Sequence, residues 1–276
     1  HGAGSVCGSA MAPRDFSTIG YERAHNPRLQ MSREQFVSFK ASEHHYYSPW
    51  FPRMHKRNQE GVPPLDHLPT PQPMDADAFA EAMDAGMLVV DVRSPEAFGG
   101  AHIPNSYSLP LELLPAFAGW VLPYDRLLGL VVDCREQVDT AIRYLVRIGY
   151  DDIAAYMDGL AAWETTGREY GRVPAIHANE ITRRMSEGES FTLLDVRSIG
   201  EWEQGHLPGA THIYVGELPD RLDEVPRDRP VTTFCGSGAR AMVAASLLKQ
   251  ADFELVEDNL GSMAACQAVG CQLVTD

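Results

Sequence analysis

The chain has 276 residues, room for roughly two domains, with 44% hydrophobic residues and a formal net charge of −15. So acidic a balance argues against non-specific binding to nucleic acid or to an anionic membrane, which both need a basic field. No apolar run approaches the roughly 20 residues of a membrane-spanning helix. Five cysteines (Cys7, Cys134, Cys235, Cys266, Cys271), odd in number and without a C-x-x-C pair, argue against a disulfide scaffold or zinc ribbon. They point to a reducing, cytoplasmic setting. The start His1-Gly2-Ala3-Gly4-Ser5 shows no signal-peptide pattern. It also lacks Met, which suggests a fragment or a processed chain.

Residues 1–62 differ from the rest. They carry clustered aromatics and histidines at 43–52, and Ser32 with Gln35 has the spacing of a helix-opening capping box. The segment is too short and irregular for a core of its own. His44, His45 and His55 lack a ligand-spaced partner set and read as solvated or packing side chains. Residues 63–73 belong to a stretch with five prolines in twelve residues (62–73), a stiff extended linker.

A repeat of about 100 residues follows, as 74–172 and 173–276. Each copy opens on a helix stopped by glycine (75–86 and 179–188) and continues into a short apolar strand (87–91 and 191–195). Each strand ends in Asp-Val-Arg-Ser (91–94 and 195–198). His-apolar-Pro comes eleven residues after the Asp, as His102-Ile103-Pro104 and His206-Leu207-Pro208. A strand leading to a cysteine, an apolar-rich helix and a short strand complete each copy. Helices alternating with short apolar strands predict α/β domains with helices on both faces of a parallel sheet.

The copies part at the cysteine. In the second, Val231–Phe234 reads as a strand, and Cys235-Gly236-Ser237-Gly238-Ala239-Arg240 links it to a helix. Two glycines let backbone N–H groups curl toward the sulfur. The helix start and Arg240 add positive potential, and all three effects favour a thiolate nucleophile. In the first copy the loop after Cys134 is about two residues shorter. Arg135-Glu136-Gln137-Val138-Asp139 brings two carboxylates, no glycine and no arginine at the fifth position. Cys134 therefore reads as non-catalytic.

Asp195-Val196-Arg197-Ser198, Glu201-Trp202-Glu203-Gln204-Gly205-His206-Leu207-Pro208-Gly209-Ala210 and the Cys235–Arg240 loop together resemble the rhodanese sulfurtransferases. The family's Cys-x-x-Gly-x-Arg pattern is matched at every fixed position. The first copy looks like an inactive rhodanese domain that keeps the closing signature Asp158-Gly159-Leu160-Ala161-Ala162-Trp163. The second has Cys266 where the tryptophan normally stands. The resemblance implies transfer of a sulfane sulfur from thiosulfate or a low-molecular-weight persulfide, through a Cys235 persulfide, to a thiol, sulfite or cyanide. It implies Cys235 as catalytic residue and Gly236, Ser237, Gly238, Ala239 and Arg240 as the substrate cradle, without metal or organic cofactor. Related folds acting on phosphate or arsenate use a loop one residue longer. Asp195 and Arg197 read as a supporting salt bridge at the strand end, His206 as a loop hydrogen-bonding residue, and Cys266 and Cys271 as plain thiols rather than a resolving pair.

The front of the chain has a resemblance too. His1-Gly2-Ala3-Gly4-Ser5-Val6-Cys7-Gly8, Ser17-Thr18-Ile19-Gly20-Tyr21-Glu22-Arg23 and Asn26-Pro27 look like the tail of a metallo-β-lactamase-fold domain in fusions with two rhodanese domains, associated with persulfide dioxygenase chemistry. That implies a partner domain upstream with iron or zinc, toward which His1 is a ligand only if that domain is present. An alternative reading is a non-catalytic or relay module docking to that domain. Homo-oligomerisation stays open.

Overall fold

The computed structural model describes residues 16–62 and 64–275. They fall into two units, one ending at Tyr47 and one beginning at Ser48. In the first, α1 (Ile19–His25) is capped by the Thr18 hydroxyl, which accepts the Tyr21 N–H. In α2 (Arg33–Ser42) the Ser32 hydroxyl and the Gln35 amide cap each other's backbone, as their spacing predicts. No residue of either helix is buried.

The second unit starts with α3 (Trp50–Glu60) and contains two five-stranded parallel sheets. The first domain runs β1 (Gln72–Pro73), α4 (Ala76–Asp84), β2 (Leu88–Asp91), α5 (Pro95–Gly100), β3 (Tyr107–Ser108), α6 (Leu114–Val121), β4 (Leu128–Val132), α7 (Glu136–Arg147), β5 (Ile153–Asp158) and α8 (Ala161–Thr165). The second runs β6 (Ala175–Ile176), α9 (Ala178–Glu187), β7 (Thr192–Asp195), α10 (Ile199–Glu203), β8 (Thr211–His212), β9 (Val231–Phe234), α11 (Ala239–Gln250), β10 (Val256–Asn259) and α12 (Ser262–Val269). The strand orders β1-β5-β4-β2-β3 and β6-β10-β9-β7-β8 are the same topology, so the sequence repeat is a structural one. Asp75 caps α4 by accepting the Ala78 N–H, and Gly188 ends α9 at φ 68°, where a side chain would be strained.

Two expected boundaries move. A break at residue 62 would leave α3 in the N-terminal segment, yet α3 packs on the first sheet domain. Trp50 lies against Gly119 so closely that a Cβ there would come within 2.6 Å of it. Arg53 pairs with Asp125 at 3.0 Å and stacks over Tyr124. The linker also ends early. Gln72–Pro73 pairs with β5 as an edge strand, the one place in a sheet that tolerates proline.

Each sheet has one face on its own cluster, built around Phe79, Val89 and Ile103 in the first domain and Ile181, Leu193 and Phe234 in the second. The opposite faces share a single core running through both domains. At its centre is α11, buried at every position from Ala241 to Leu248. A helix without a polar stripe is one enclosed on all sides. The Ser246 hydroxyl accepts the Ser108 N–H at 3.0 Å, and the Gln250 side chain donates to the Ser106 carbonyl at 3.3 Å. Trp120 of the first domain meets Tyr214 of the second edge to face at 5.6 Å. Among the described residues no helix is long and apolar enough to cross a membrane.

A chain cut to residues 174–276 exposes the side of α11 that faces the first domain. Its thermal midpoint is expected to fall by on the order of 10 °C or more, with binding of a hydrophobic dye. Equal midpoints for the cut and full chains, measured by circular dichroism, would contradict the shared core.

Candidate active site

Between the end of β9 and the start of α11 lie Cys235 to Gly238, and their shape is set by α12. The Met263 N–H donates to the Cys235 carbonyl (3.1 Å), the Ala264 N–H to Gly236 (3.0 Å) and the Gly261 N–H to Ser237 (3.2 Å). The first N–H groups of a helix have no partners within it, so they take these carbonyls instead. The Ser262 hydroxyl accepts the Cys235 N–H at 3.0 Å and donates to the Asn259 carbonyl at 2.7 Å. With successive carbonyls drawn toward α12, the loop is free to close on the sulfur. The Gly238 N–H donates to Cys235 Sγ at 3.1 Å, a contact suited to an anionic sulfur. Gly238 has φ 110°, open only to glycine, and a Cβ there would also press on Leu260 and Gly261.

Cys235 is 1% exposed. Ser237 is exposed and contributes its carbonyl, and Ala239 begins α11. Arg240 reaches back over the loop, where a Cβ on Gly236 would lie 3.0 Å from its Nη2. Its guanidinium is already engaged. Nη1 donates to Glu201 Oε2 and Nη2 to Glu201 Oε1, both at 2.7 Å. These side chains are 21% and 36% exposed, so the charged pair is the solvent-facing part of the site and the sulfur the buried part. Burial alone would push the Glu201 carboxyl up, but Arg240 and Ser198 hold it down to about 2. Burial alone would lower the Arg240 guanidinium, but Glu201 holds it above its ordinary value.

Glu201 is the site residue that sequence reasoning missed. Its signals are its place at the head of the Glu201–Ala210 motif and the Ser198–Glu201 spacing, which forms a capping box on α10. Nothing in that spacing names a partner 39 positions away.

Asp195 and Arg197 form a buried pair, Nε to Oδ1 at 2.9 Å and Nη2 to Oδ2 at 2.6 Å. Arg197 also donates to the carbonyls of Glu201 (3.2 Å) and Gly205 (2.9 Å), fixing α10 and hence Glu201 against the strand end. Asp91 and Arg93 repeat this geometry, with Ala101 as carbonyl partner. Its presence beside both cysteines marks it as scaffold. His206 stacks on Trp202 at 3.5 Å, its Nδ1 3.1 Å from the Trp202 carbonyl oxygen.

Two residues before Cys235, the Thr233 hydroxyl donates to Asp258 Oδ1 at 3.2 Å. Asp258 Oδ2 is buried without a hydrogen-bond partner, and burial pushes the carboxyl up to about 7.

Around Cys134 the cage is missing. Helix α7 begins two residues after Cys134, whereas α11 begins four after Cys235. Cys134 is exposed, and the Glu136 carboxylate beside it pushes its thiol up. Cys266 is fully buried; burial, then a hydrogen bond with Cys271, pushes its thiol up to about 12.

A cleft of about 470 Å³ between the domains is lined by Glu96 and Arg172 and by Met242 and Leu260. Among the described residues no group of three or more His, Cys, Asp or Glu side chains is arranged to hold a metal ion. His1 and Cys7 lie outside those residues. Iron or zinc therefore has no fitting donor set among them.

The sequence profile described as Rhodanese-like domain matches residues 75–166 and again 177–268, more than half of the chain. An Allochromatium vinosum protein named Sulfurtransferase is 31% identical over 102 residues, 37% of this chain and 95% of that protein. The Bacillus subtilis protein YrkF is 32% identical over 93 residues, 34% of this chain and 50% of that protein; the chain thus spans half the length of that relative. The crystal structure of a thiosulfate sulfurtransferase from Pseudomonas aeruginosa aligns with 75% of this chain and 44% of its own, at 22% identity and a TM-score of 0.35.

Asp258 gives a pH signature. Its carboxyl holds a proton more tightly folded than unfolded, so its stabilising contribution is full below about pH 4 and is lost as pH rises to about 7. Relative to the native chain, Asp258→Asn is expected to gain stability between those pH values and to level off above them. The total gain is about 4 kcal/mol at most. Urea unfolding at several pH values measures it, and a pH-independent difference would refute the assignment.

Proposed function

This chain belongs to the rhodanese-like domain family, and from that premise we propose that it transfers sulfane sulfur through a persulfide on Cys235. Sulfur transfer is the family-level activity. The observation that carries the assignment to Cys235 is the Gly238 N–H aimed at its buried Sγ, in a loop that the first domain lacks.

In the first half-reaction the Cys235 thiolate attacks the outer sulfur of thiosulfate or of a low-molecular-weight persulfide. A new S–S bond forms, and the donor's own S–S bond breaks with its electron pair leaving on sulfite or on a thiolate. In the second, a thiol, sulfite or cyanide attacks the outer sulfur of the Cys235 persulfide and frees the thiolate. No external oxidant or reductant is consumed, and one hard transfer becomes two easier ones. The backbone of Gly236, Ser237, Gly238 and Ala239 shapes the cradle, and the Gly238 N–H stabilises the anionic sulfur. Arg240 supplies positive charge at the mouth; its fixed fork suits an anionic donor group. Asp195 and Arg197 position the neighbouring helix. Cys134 has no part in the chemistry.

We place this reaction in the cytoplasm, where thiols stay reduced, within bacterial sulfide and persulfide metabolism. The similarity of residues 1–27 to the tail of a metallo-β-lactamase-fold domain supports a place behind such a domain, which would supply or receive the sulfur.

Intact mass after mixing with thiosulfate or glutathione persulfide tests the assignment. One added sulfur is expected on the chain and on Cys134→Ser, and none on Cys235→Ser. No adduct from any donor would refute it. Arg240→Ala is expected to slow anionic donors at least tenfold, about the weight of one charge-assisted contact. An equal loss with an uncharged donor would remove that role for Arg240.

A further inference from the structure

We propose that Glu201 sets the donor class of the Cys235 site. By holding Arg240 in a two-point ion pair, it disfavours small dianions such as thiosulfate and favours sulfur delivered on a thiol, as an organic persulfide. The inference rests on the Cys235 reading above and narrows its substrate.

The pair is built in, rather than a chance surface contact. The two terminal guanidinium nitrogens each donate to one carboxylate oxygen at 2.7 Å. Oε2 also accepts the Ser198 N–H at 3.0 Å and the Ser198 hydroxyl at 2.8 Å. Arg197 grips the Glu201 carbonyl from the other side. Turning Glu201 away to free Arg240 therefore breaks the capping box as well as the ion pair. Its carboxyl stays ionised down to about pH 2, so protonation gives no relief in the working range.

The two partners also come and go together. The first domain has Ala97 where the Asp-Val-Arg register puts Glu201, and Asp139 where the cysteine register puts Arg240. There the cysteine has neither a cage nor a charged pair.

The charge count sets the preference. Cys235 as thiolate, Arg240 and Glu201 sum to one negative charge. Thiosulfate brings two more on one small ion, and Arg240 meets it only by leaving Glu201 half-buried and unpaired. A persulfide brings one ionisable sulfur to the loop, and its outer sulfur is attacked in the protonated form. The thiolate displaces RS⁻ from RSSH, so one S–S bond replaces another and the electron pair leaves on the thiol sulfur. The chain's net charge of −15 acts in the same direction.

The test is the single-turnover rate at which thiosulfate and cysteine persulfide each add sulfur to Cys235, read by intact mass, in the full chain and in its Glu201→Gln and Glu201→Ala variants. Glutamine also serves at the third position of a capping box, so Glu201→Gln removes the charge and keeps the helix start. The thiosulfate-to-persulfide rate ratio is expected to rise on the order of tenfold in both variants, through the half-saturating concentration rather than the limiting rate. An unchanged or falling ratio in folded variants overturns the proposal. If neither variant folds, the native chain decides, and thiosulfate reacting faster than cysteine persulfide overturns it. Absence of any Cys235 adduct overturns the sulfur-transfer reading itself, whereas sulfur uptake without a change of ratio overturns Glu201 alone.

Discussion

The helix that holds the Cys235 loop comes after it in the chain. Three N–H groups at the start of α12 take three consecutive loop carbonyls, and the Ser262 hydroxyl ties the Cys235 N–H to the end of β10. A helix start must find acceptors, and a tight loop must turn its carbonyls somewhere. Each need meets the other here. The remaining features follow from that exchange: Gly238 in a backbone conformation closed to side chains, its N–H on the sulfur, and α11 launched so that its first turn carries Arg240 across Gly236. The tryptophan that seats the last helix of the first domain is replaced by Cys266 in the second, yet α12 keeps its place because its N-terminus is bound to the loop.

Much of this was legible in the sequence. The Asp-Val-Arg-Ser repeat, the glycine-stopped helices and the two-residue difference after the cysteines give the paired sheets and distinguish the caged cysteine from the exposed one. Those signals are local: each lies within one element and its neighbouring turn. The features that escaped depend on distant partners. Glu201 reads as a cap because Ser198 is three residues away, while Arg240 is on another helix. Trp50 reads as part of an aromatic cluster because nothing local reveals that Gly119 leaves room for it. Gln72–Pro73 reads as linker, since two residues carry no strand periodicity and only the open edge of β5 makes them one. The run in α11 signals burial but not that a second domain provides half of it.

The two domains divide the work unevenly. Both keep the buried Asp–Arg clamp at the end of the corresponding strand, so the clamp belongs to the fold and not to the reaction. Only the second adds the long glycine loop and the Glu201–Arg240 pair. The first lacks these and offers β3 and α6 as a wall for α11 and Tyr214. Its structural part is to pack one side of the helix that carries Arg240.

The order of the parts also fixes an order of events during synthesis. Domains fold as they leave the ribosome, N-terminal part first. The first domain can close while the second is still being made, and it then presents β3 before α11 exists. The Cys235 loop, by contrast, emerges well before the donors at Gly261, Met263 and Ala264 that shape it. Until those residues arrive, the nascent chain carries Cys235 without its cage.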